Sequence, residues 1–494
     1  MHLVRWSWAL PVLLVGRAVA GPPAPEARRQ IVDRHGHVLA HIPPLERDAA
    51  CAPELYGLAM RTGAGGAEGG PIRARLDGRL QVLARLAVQR AVEQLAREGA
   101  ARTPQKETPP TVGEVRTAVV RTVGADQVEL DLGVAGWVGT LSRPRPACEG
   151  HALEQGQGPP RLGAGDRVRV RIVELAPAAV PGGPRRARAL LQPQAALVAL
   201  DPASRDVLAL VGGCGLQAGD FDRATQGRRQ AGSTWKPFVY AAALQSGRFH
   251  ADDVVHDLPR LYGDWQPRNH SSTYRGALRL RQALAHSVNT VAVRLLADVG
   301  PAAVAALAER LGIPRAQVPL DLTQALGTAL VSPLQLAGAY ATLADTLAGR
   351  YVPPVLWQGE GVSGEPVLPP ALCYLMTHLL GSVITEGSAV RARELGWPGL
   401  AGKTGTTTQG LDAWFVGYHS QLLAVVWVGD DAPDPAAASP RSGADTALPL
   451  WMDFMRSAHR SGPPPPFPRP PGLIEVAVPG EGGGLRELRL ADTP

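Results

Sequence analysis

Lysine is nearly missing from this chain. Of its 50 basic residues only Lys106, Lys236 and Lys403 are lysines. A guanidinium stays protonated at any working pH, whereas an ammonium can lose its proton and act as a base. A chain that uses arginine almost everywhere, yet has lysine in Ser233-Thr234-Trp235-Lys236 and in Lys403-Thr404-Gly405-Thr406, marks those two places as candidates for chemistry. Asparagine is scarcer still, at Asn269 and Asn289 only. The four cysteines, Cys51, Cys148, Cys214 and Cys373, are too widely spaced for a zinc site. They allow three disulfide pairings, and unpaired core residues are an equal reading. No dense basic run is interleaved with aromatics, which makes nucleic acid the weakest partner for a net charge of +6. An anionic membrane, a wall polymer or a solvated arginine-rich surface fits that charge better. Beyond the N-terminus no apolar run approaches the roughly 20 residues that cross a bilayer.

What is present begins with an export pattern. His2 and Arg5 precede a mostly apolar stretch over 6–16, and Ala18-Val19-Ala20 has the small-x-small form of a cleavage site. Arg17 leaves a short uncleaved anchor, and membrane association through it, as the alternative. Either way the body is expected outside the cytoplasm, in the periplasm or on the outer face of the inner membrane. After this signal or anchor (1–20), residues 21–75 read as a Gly-, Ala- and Pro-rich leader with one hairpin over 30–39. Residues 76–110 read as an amphipathic helix and a polar linker. Residues 111–193 carry short alternating β runs, the pattern of a small all-β, OB-like domain. Residues 461–494 form a Pro-rich tail with one strand. Between them, 194–460 carry a strand hairpin, helical segments over 235–345 and three more strands over 400–428. That order predicts an α+β fold with a five-stranded antiparallel sheet between helix layers.

Three elements in the main unit carry chemistry. Ser233 and Lys236, at i and i+3, share a helix face near its N-terminus, where free N–H groups favour a developing oxyanion. A serine beside a lysine of lowered pKa is an activated nucleophile. Ser287 and Asn289, at i and i+2, converge only if they lie in a turn; capping of the next helix is the alternative for Asn289. Lys403 to Thr406 read as a strand. Gly405 inside it implies close backbone approach, as by a peptide adding alongside.

In this order the three elements resemble the Ser-x-x-Lys, Ser-x-Asn and Lys-Thr-Gly set of penicillin-binding proteins and serine β-lactamases. The flanking text resembles class A penicillin-binding proteins: Phe221 to Thr225, Arg229 to Tyr240, Gln324-Ala325-Leu326-Gly327, Ser332-Pro333-Leu334 and Asp412 to Tyr418. The resemblance implies a D,D-transpeptidase that cross-links peptidoglycan stem peptides and is acylated by β-lactams, with no cofactor or metal. Ser233 would be the nucleophile and Lys236 its base, with repulsion between the two lysines lowering a pKa. Ser287 and Lys403 would relay a proton, and Asn289 would hold the acyl amide. Thr404 and Thr406 would bind the terminal carboxylate, with Gly405 between them. The Ser233 and Thr406 N–H groups would form the oxyanion hole.

The glycosyltransferase domain of bifunctional relatives is not found. Its acidic motif needs a phenylalanine, and the first here is Phe221. A separate glycan polymerase is the partner this implies. A β-lactamase of class A would need an asparagine downstream of Asn289, and none follows. A D,D-carboxypeptidase and a non-catalytic wall-binding or β-lactam-sensing scaffold are the remaining alternatives.

Overall fold

The computed structural model describes residues 29–42, 52–62, 71–103, 105–124, 126–142, 162–360, 363–431, 441–459, 462–478 and 486–491. The expected export signal, Cys51 and Cys148 lie outside them. Cys214 and Cys373 are buried free thiols, and burial pushes both up to about 12.

The expected five-stranded antiparallel sheet is the centre of the main unit. Its order in space is Val207–Val211, Gln194–Leu200, Leu422–Gly429, Asp412–His419 and Ala401–Thr406. The strands Asp412–His419 and Leu422–Gly429 are buried along their whole length because helices cover both faces, so they read as continuous rather than alternating apolar runs.

The helices are α1 (Glu54–Thr62), α2 (Gly78–Ala100), α3 (Lys236–Gln245), α4 (Leu280–Ala285), α5 (Asn289–Val299), α6 (Pro301–Arg310), α7 (Pro333–Ala344), α8 (Pro370–Thr385) and α9 (Leu448–Ala458). On one side of the sheet lie α2 and α9; on the other lie α7 and α8, with α3 and α4 packed on α8 and α5 and α6 on α3. Helix α2 is therefore part of the main unit's packing. Asp77 caps it by accepting from the Leu80 N–H, and the buried Gln81 amide pairs both ways with the Leu210 backbone. That pairing joins the Asp77 N–H to Leu208 carbonyl and Val207 N–H to Val355 carbonyl bonds in covering the outer strand's free edge.

The preceding β unit is a closed five-stranded barrel, with Trp137–Ser142 and Arg185–Leu191 running parallel. The strand Arg185–Leu191 is absent from the sequence reading. Its buried Ala187 and Ala189 alternate with Arg186 and Arg188 before the buried Leu190 and Leu191, so most of its length carries little hydrophobic contrast. Helices α1, α8 and α9 were also not anticipated. The C-terminal tail forms a hairpin, Leu473–Ala477 with Arg486–Leu490, where one strand was expected. Among the described residues no single helix is long and apolar enough to cross a membrane.

Candidate active site

Ser233 lies in a 3-10 turn, Gly232–Trp235, that runs directly into α3. The α-helix therefore starts at Lys236, one turn later than the sequence suggests, and Pro237 occupies its second position, where a missing N–H costs little. Several contacts hold this turn. The Tyr340 hydroxyl donates to the Thr234 carbonyl at 2.6 Å, and Trp235, Phe238 and Tyr340 pack edge to face in succession. Gly232 has φ +54° and donates to the Gly327 carbonyl at 3.0 Å. A Cβ on Gly232 would lie 2.8 Å from the Thr406 carbonyl oxygen, and one on Gly327 only 1.8 Å from that of Gly232. The turn carrying Ser233 is thus wedged by backbone contact between the Gln324–Gly327 segment and the end of the strand Ala401–Thr406.

Ser287 and Asn289 occupy the expected turn. Helix α4 ends at Ala285, Ser287 takes φ +57°, and α5 begins at Asn289. A non-glycine residue at positive φ is uncommon and persists only where its surroundings fix it. The Asn289 side chain does not cap its helix: its Oδ1 accepts from Lys236 Nζ at 2.7 Å and its Nδ2 donates to the Arg268 carbonyl at 2.7 Å. Its backbone N–H donates to Asn269 Oδ1 at 2.9 Å, so the chain's two asparagines are bonded to each other. Asn269 in turn donates to both oxygens of Asp257, at 2.8 and 3.0 Å. Asp257 is fully buried and also accepts from Thr290 Oγ1 and the Arg275 N–H. In the sequence only its rarity marks Asn269, and nothing marks Asp257.

The two lysines meet at Ser287. Lys236 Nζ donates to the Ser287 carbonyl at 2.5 Å and lies 3.1 Å from Ser287 Oγ; Lys403 Nζ lies 2.9 Å from the same hydroxyl. Both lysines are fully buried. Burial first, and then the charge of Lys403, holds Lys236 well below the ordinary lysine range; burial lowers Lys403 to about 7. The expected repulsion is therefore real but second to desolvation. Ser233 is half-buried. The hydrogen bonds of Lys236 run to Ser287 and Asn289, and none runs to Ser233. Catalytic hydrogen bonds are often long in unliganded sites and tighten with substrate.

Lys403 to Thr406 lie on the sheet's edge strand, Ala401–Thr406. Thr404 and Thr406 share the face opposite to that of Lys403 and Gly405, as period-2 alternation requires. Thr404 Oγ1 lies 2.6 Å from Ser388 Oγ, and Thr406 Oγ1 accepts from the Gly443 N–H at 3.0 Å. Ser388 follows α8 and was not foreseen, since no motif marks it. At Gly405 the close approach comes from the chain itself: a Cβ there would lie 2.8 Å from Thr234 Cγ2 and 3.0 Å from the Ala231 carbonyl oxygen. The glycine lets the Ser233 turn seat against the strand.

A half-exposed serine hydroxyl, a second hydroxyl shared by two lysines of lowered pKa and an open strand edge can support nucleophilic attack with proton transfer through amines. Among the described residues no cluster of three or more His, Cys, Asp or Glu is placed to hold a metal ion.

Comparison with known proteins gives a consistent answer. The family described as "Penicillin binding protein transpeptidase domain" matches residues 195–446. Penicillin-binding protein 1A of Pseudomonas aeruginosa is 31% identical over 408 residues, covering 67% of this chain and 48% of that protein. Its counterpart in Neisseria lactamica is 36% identical over 302 residues, covering 57% and 38%. The chain thus spans about half or less of the length of these relatives. Among solved structures, penicillin-binding protein 1A from Haemophilus influenzae superposes with a TM-score of 0.67 at 22% identity, covering 89% of this chain and 76% of that one, a likeness of fold.

Proposed function

Because the chain belongs to the penicillin-binding protein transpeptidase family, we propose that it is a peptidoglycan D,D-transpeptidase working through a serine acyl-enzyme. One observation supports this most: the Ser287 hydroxyl lies between two buried lysines, next to the turn that carries Ser233. Ser233 Oγ attacks the carbonyl of the penultimate D-alanine of a stem peptide and gives its proton to neutral Lys236. The tetrahedral oxyanion is held by the Ser233 and Thr406 N–H groups. As the C–N bond breaks, the terminal D-alanine leaves with a proton relayed through Ser287 from the lysine pair. An amine of a neighbouring stem peptide then attacks the acyl-enzyme, forms the cross-link and returns the proton to Ser233.

Asn289 holds the acyl amide. The Thr404 and Thr406 hydroxyls bind the terminal carboxylate, joined by Ser388, and Lys403 adds attraction in its protonated form. A β-lactam would be attacked as the dipeptide is and would remain bound as an acyl-enzyme. The reaction belongs outside the cytoplasm, where the wall is built, and it needs glycan strands made by a polymerase.

Fluorescent penicillin tests this reading. The parent should label covalently and Ser233→Ala should not; an unlabelled parent would refute it. Offering a stem pentapeptide with and without an amine acceptor then separates cross-linking from carboxypeptidase hydrolysis.

A further inference from the structure

At the seam between the β barrel and the transpeptidase unit lies a cavity of about 550 Å³ whose polar lining is dominated by arginine. Arg171 and Arg188 enter it from the barrel strands Arg167–Ala176 and Arg185–Leu191. Arg223, Arg228 and Arg229 enter from the segment that leads to Ser233. Five guanidinium groups face two carboxylates among the described lining residues, Asp220 and Asp431.

Those carboxylates are already engaged. Asp220 takes both terminal nitrogens of Arg188, at 2.9 and 2.7 Å. Asp431 is held by Arg223, with Arg171 at 3.3 Å sharing it. Arg228 donates to the Thr225 and Gly227 carbonyls, and Arg229 to those of Asp430 and Asp431, its nearest carboxylate being Asp412 at 3.9 Å. Among the described residues, Arg228 and Arg229 thus line the cavity without a carboxylate in hydrogen-bond contact, and an oxyanion in the cavity would offset the positive charge they leave over.

We propose that this cavity is a binding pocket for the free carboxylates of an acidic wall peptide, engaged at the same time as the active site. The inference rests on the transpeptidase reading above for the identity of the peptide. Position supports it. Arg229 is four residues before Ser233, and four extended residues reach at most about 14 Å, within the length of one stem peptide. Asp412, beside Arg229, begins the strand paired to the site's edge strand, so the pocket lies past the end of Ala401–Thr406. A peptide acylated at Ser233 and running along that edge would bring its upstream acidic residues toward the arginines.

The test is calorimetric titration of the full chain with L-Ala-γ-D-Glu-meso-diaminopimelate, a tripeptide with free carboxylates but no D-Ala-D-Ala. The parent should bind it, with affinity falling as sodium chloride is raised. Arg228→Glu should weaken binding about 10-fold or more, and Arg228→Lys by less than about 3-fold, since charge rather than shape is asked of this exposed position. Melting curves confirm that each variant is folded; Arg228→Gln, with an expected loss between the two, replaces the glutamate if that variant is not. No tripeptide binding by the parent, equal binding by Arg228→Glu or Arg228→Gln, or binding of inorganic pyrophosphate without the tripeptide would each overturn the assignment. Because the probe cannot acylate Ser233, penicillin labelling without tripeptide binding sinks the pocket alone, whereas an unlabelled parent sinks the transpeptidase reading.

Discussion

Replacing Lys403 with methionine removes an amine that burial lowers from 10.5 to about 7. Between these values the unfolded chain holds a proton that the folded chain has given up. The parent's stability therefore rises with pH through this window, by about 1.4 kcal/mol per pH unit. Below pH 7 the cost of burying the charge is fully present; by pH 10.5 it has gone. Across the window the difference is about 5 kcal/mol, and Lys403 is fully buried, so little of it is screened by solvent. The methionine variant keeps the aliphatic stem and loses the slope. Lys236 contributes little to the comparison, since burial alone, its larger cause, keeps it low in both proteins. The assay is urea unfolding of both proteins from about pH 7 to about pH 10. Tryptophan fluorescence is the probe, because Trp235, Trp414, Trp427 and Trp451 are all buried around the transpeptidase sheet. The stability of parent relative to variant should climb steadily with pH. A difference flat to within about 0.5 kcal/mol would refute the argument and make Lys403 an ordinary, permanently charged lysine.

Three further outcomes follow from the packing. Asp257→Ala leaves Asn269 and Thr290 without their buried acceptor, and loosening of Asn289 should slow penicillin acylation about 10-fold or more at saturating label, measured by stopped-flow quenching. Gly405→Ala forces a methyl group to 2.8 Å from Thr234 Cγ2 and should cost about 1–3 kcal/mol in the melting of the transpeptidase unit, with a matching loss of acylation as the Ser233 turn shifts. Glu487→Ala strips the buried carboxylate that the Arg281 guanidinium grips from α4, and should destabilise by about 3–5 kcal/mol; restoring the pair in reversed order with Arg281→Glu and Glu487→Arg should recover part of that loss.

The sheet, most of its helices and the three motifs could be read from the sequence because each is local. Ser233 and Lys236 are one turn apart, Ser287 and Asn289 one turn of loop, and Lys403 to Thr406 one strand. What could not be read is what the fold brings from a distance. Asp257 reaches Asn289 through Asn269 and a loop, and Ser388 meets Thr404 only because α8 packs on the edge strand. Gly405 was legible as a glycine that needs a reason, but the reason, the backbone at Ala231, lies 174 positions away in the chain. The strand Arg185–Leu191 failed for another cause: through Ala189 its buried residues are alanines, too small to show as a period.

The scarcity of lysine takes on a physical meaning once the buried cations are set side by side. Arg85, Arg116, Arg169, Arg205, Arg223 and Arg441 are all buried, and each has a carboxylate within ion-pair distance. A guanidinium cannot shed its proton in a protein, so in the interior it needs a counter-charge. Lys236 and Lys403 are buried just as deeply, yet their hydrogen-bond acceptors are carbonyl, amide and hydroxyl oxygens. Without a carboxylate, the amine relieves the cost of burial by giving up its charge, which is the direction both pKa shifts take. Arginine at either position would be trapped as a cation with nothing to pair it. The fold thus divides its buried cations by chemistry. Arginines sit where a carboxylate neutralises their charge, and the two buried lysines sit where no carboxylate does and the amine can give its proton up.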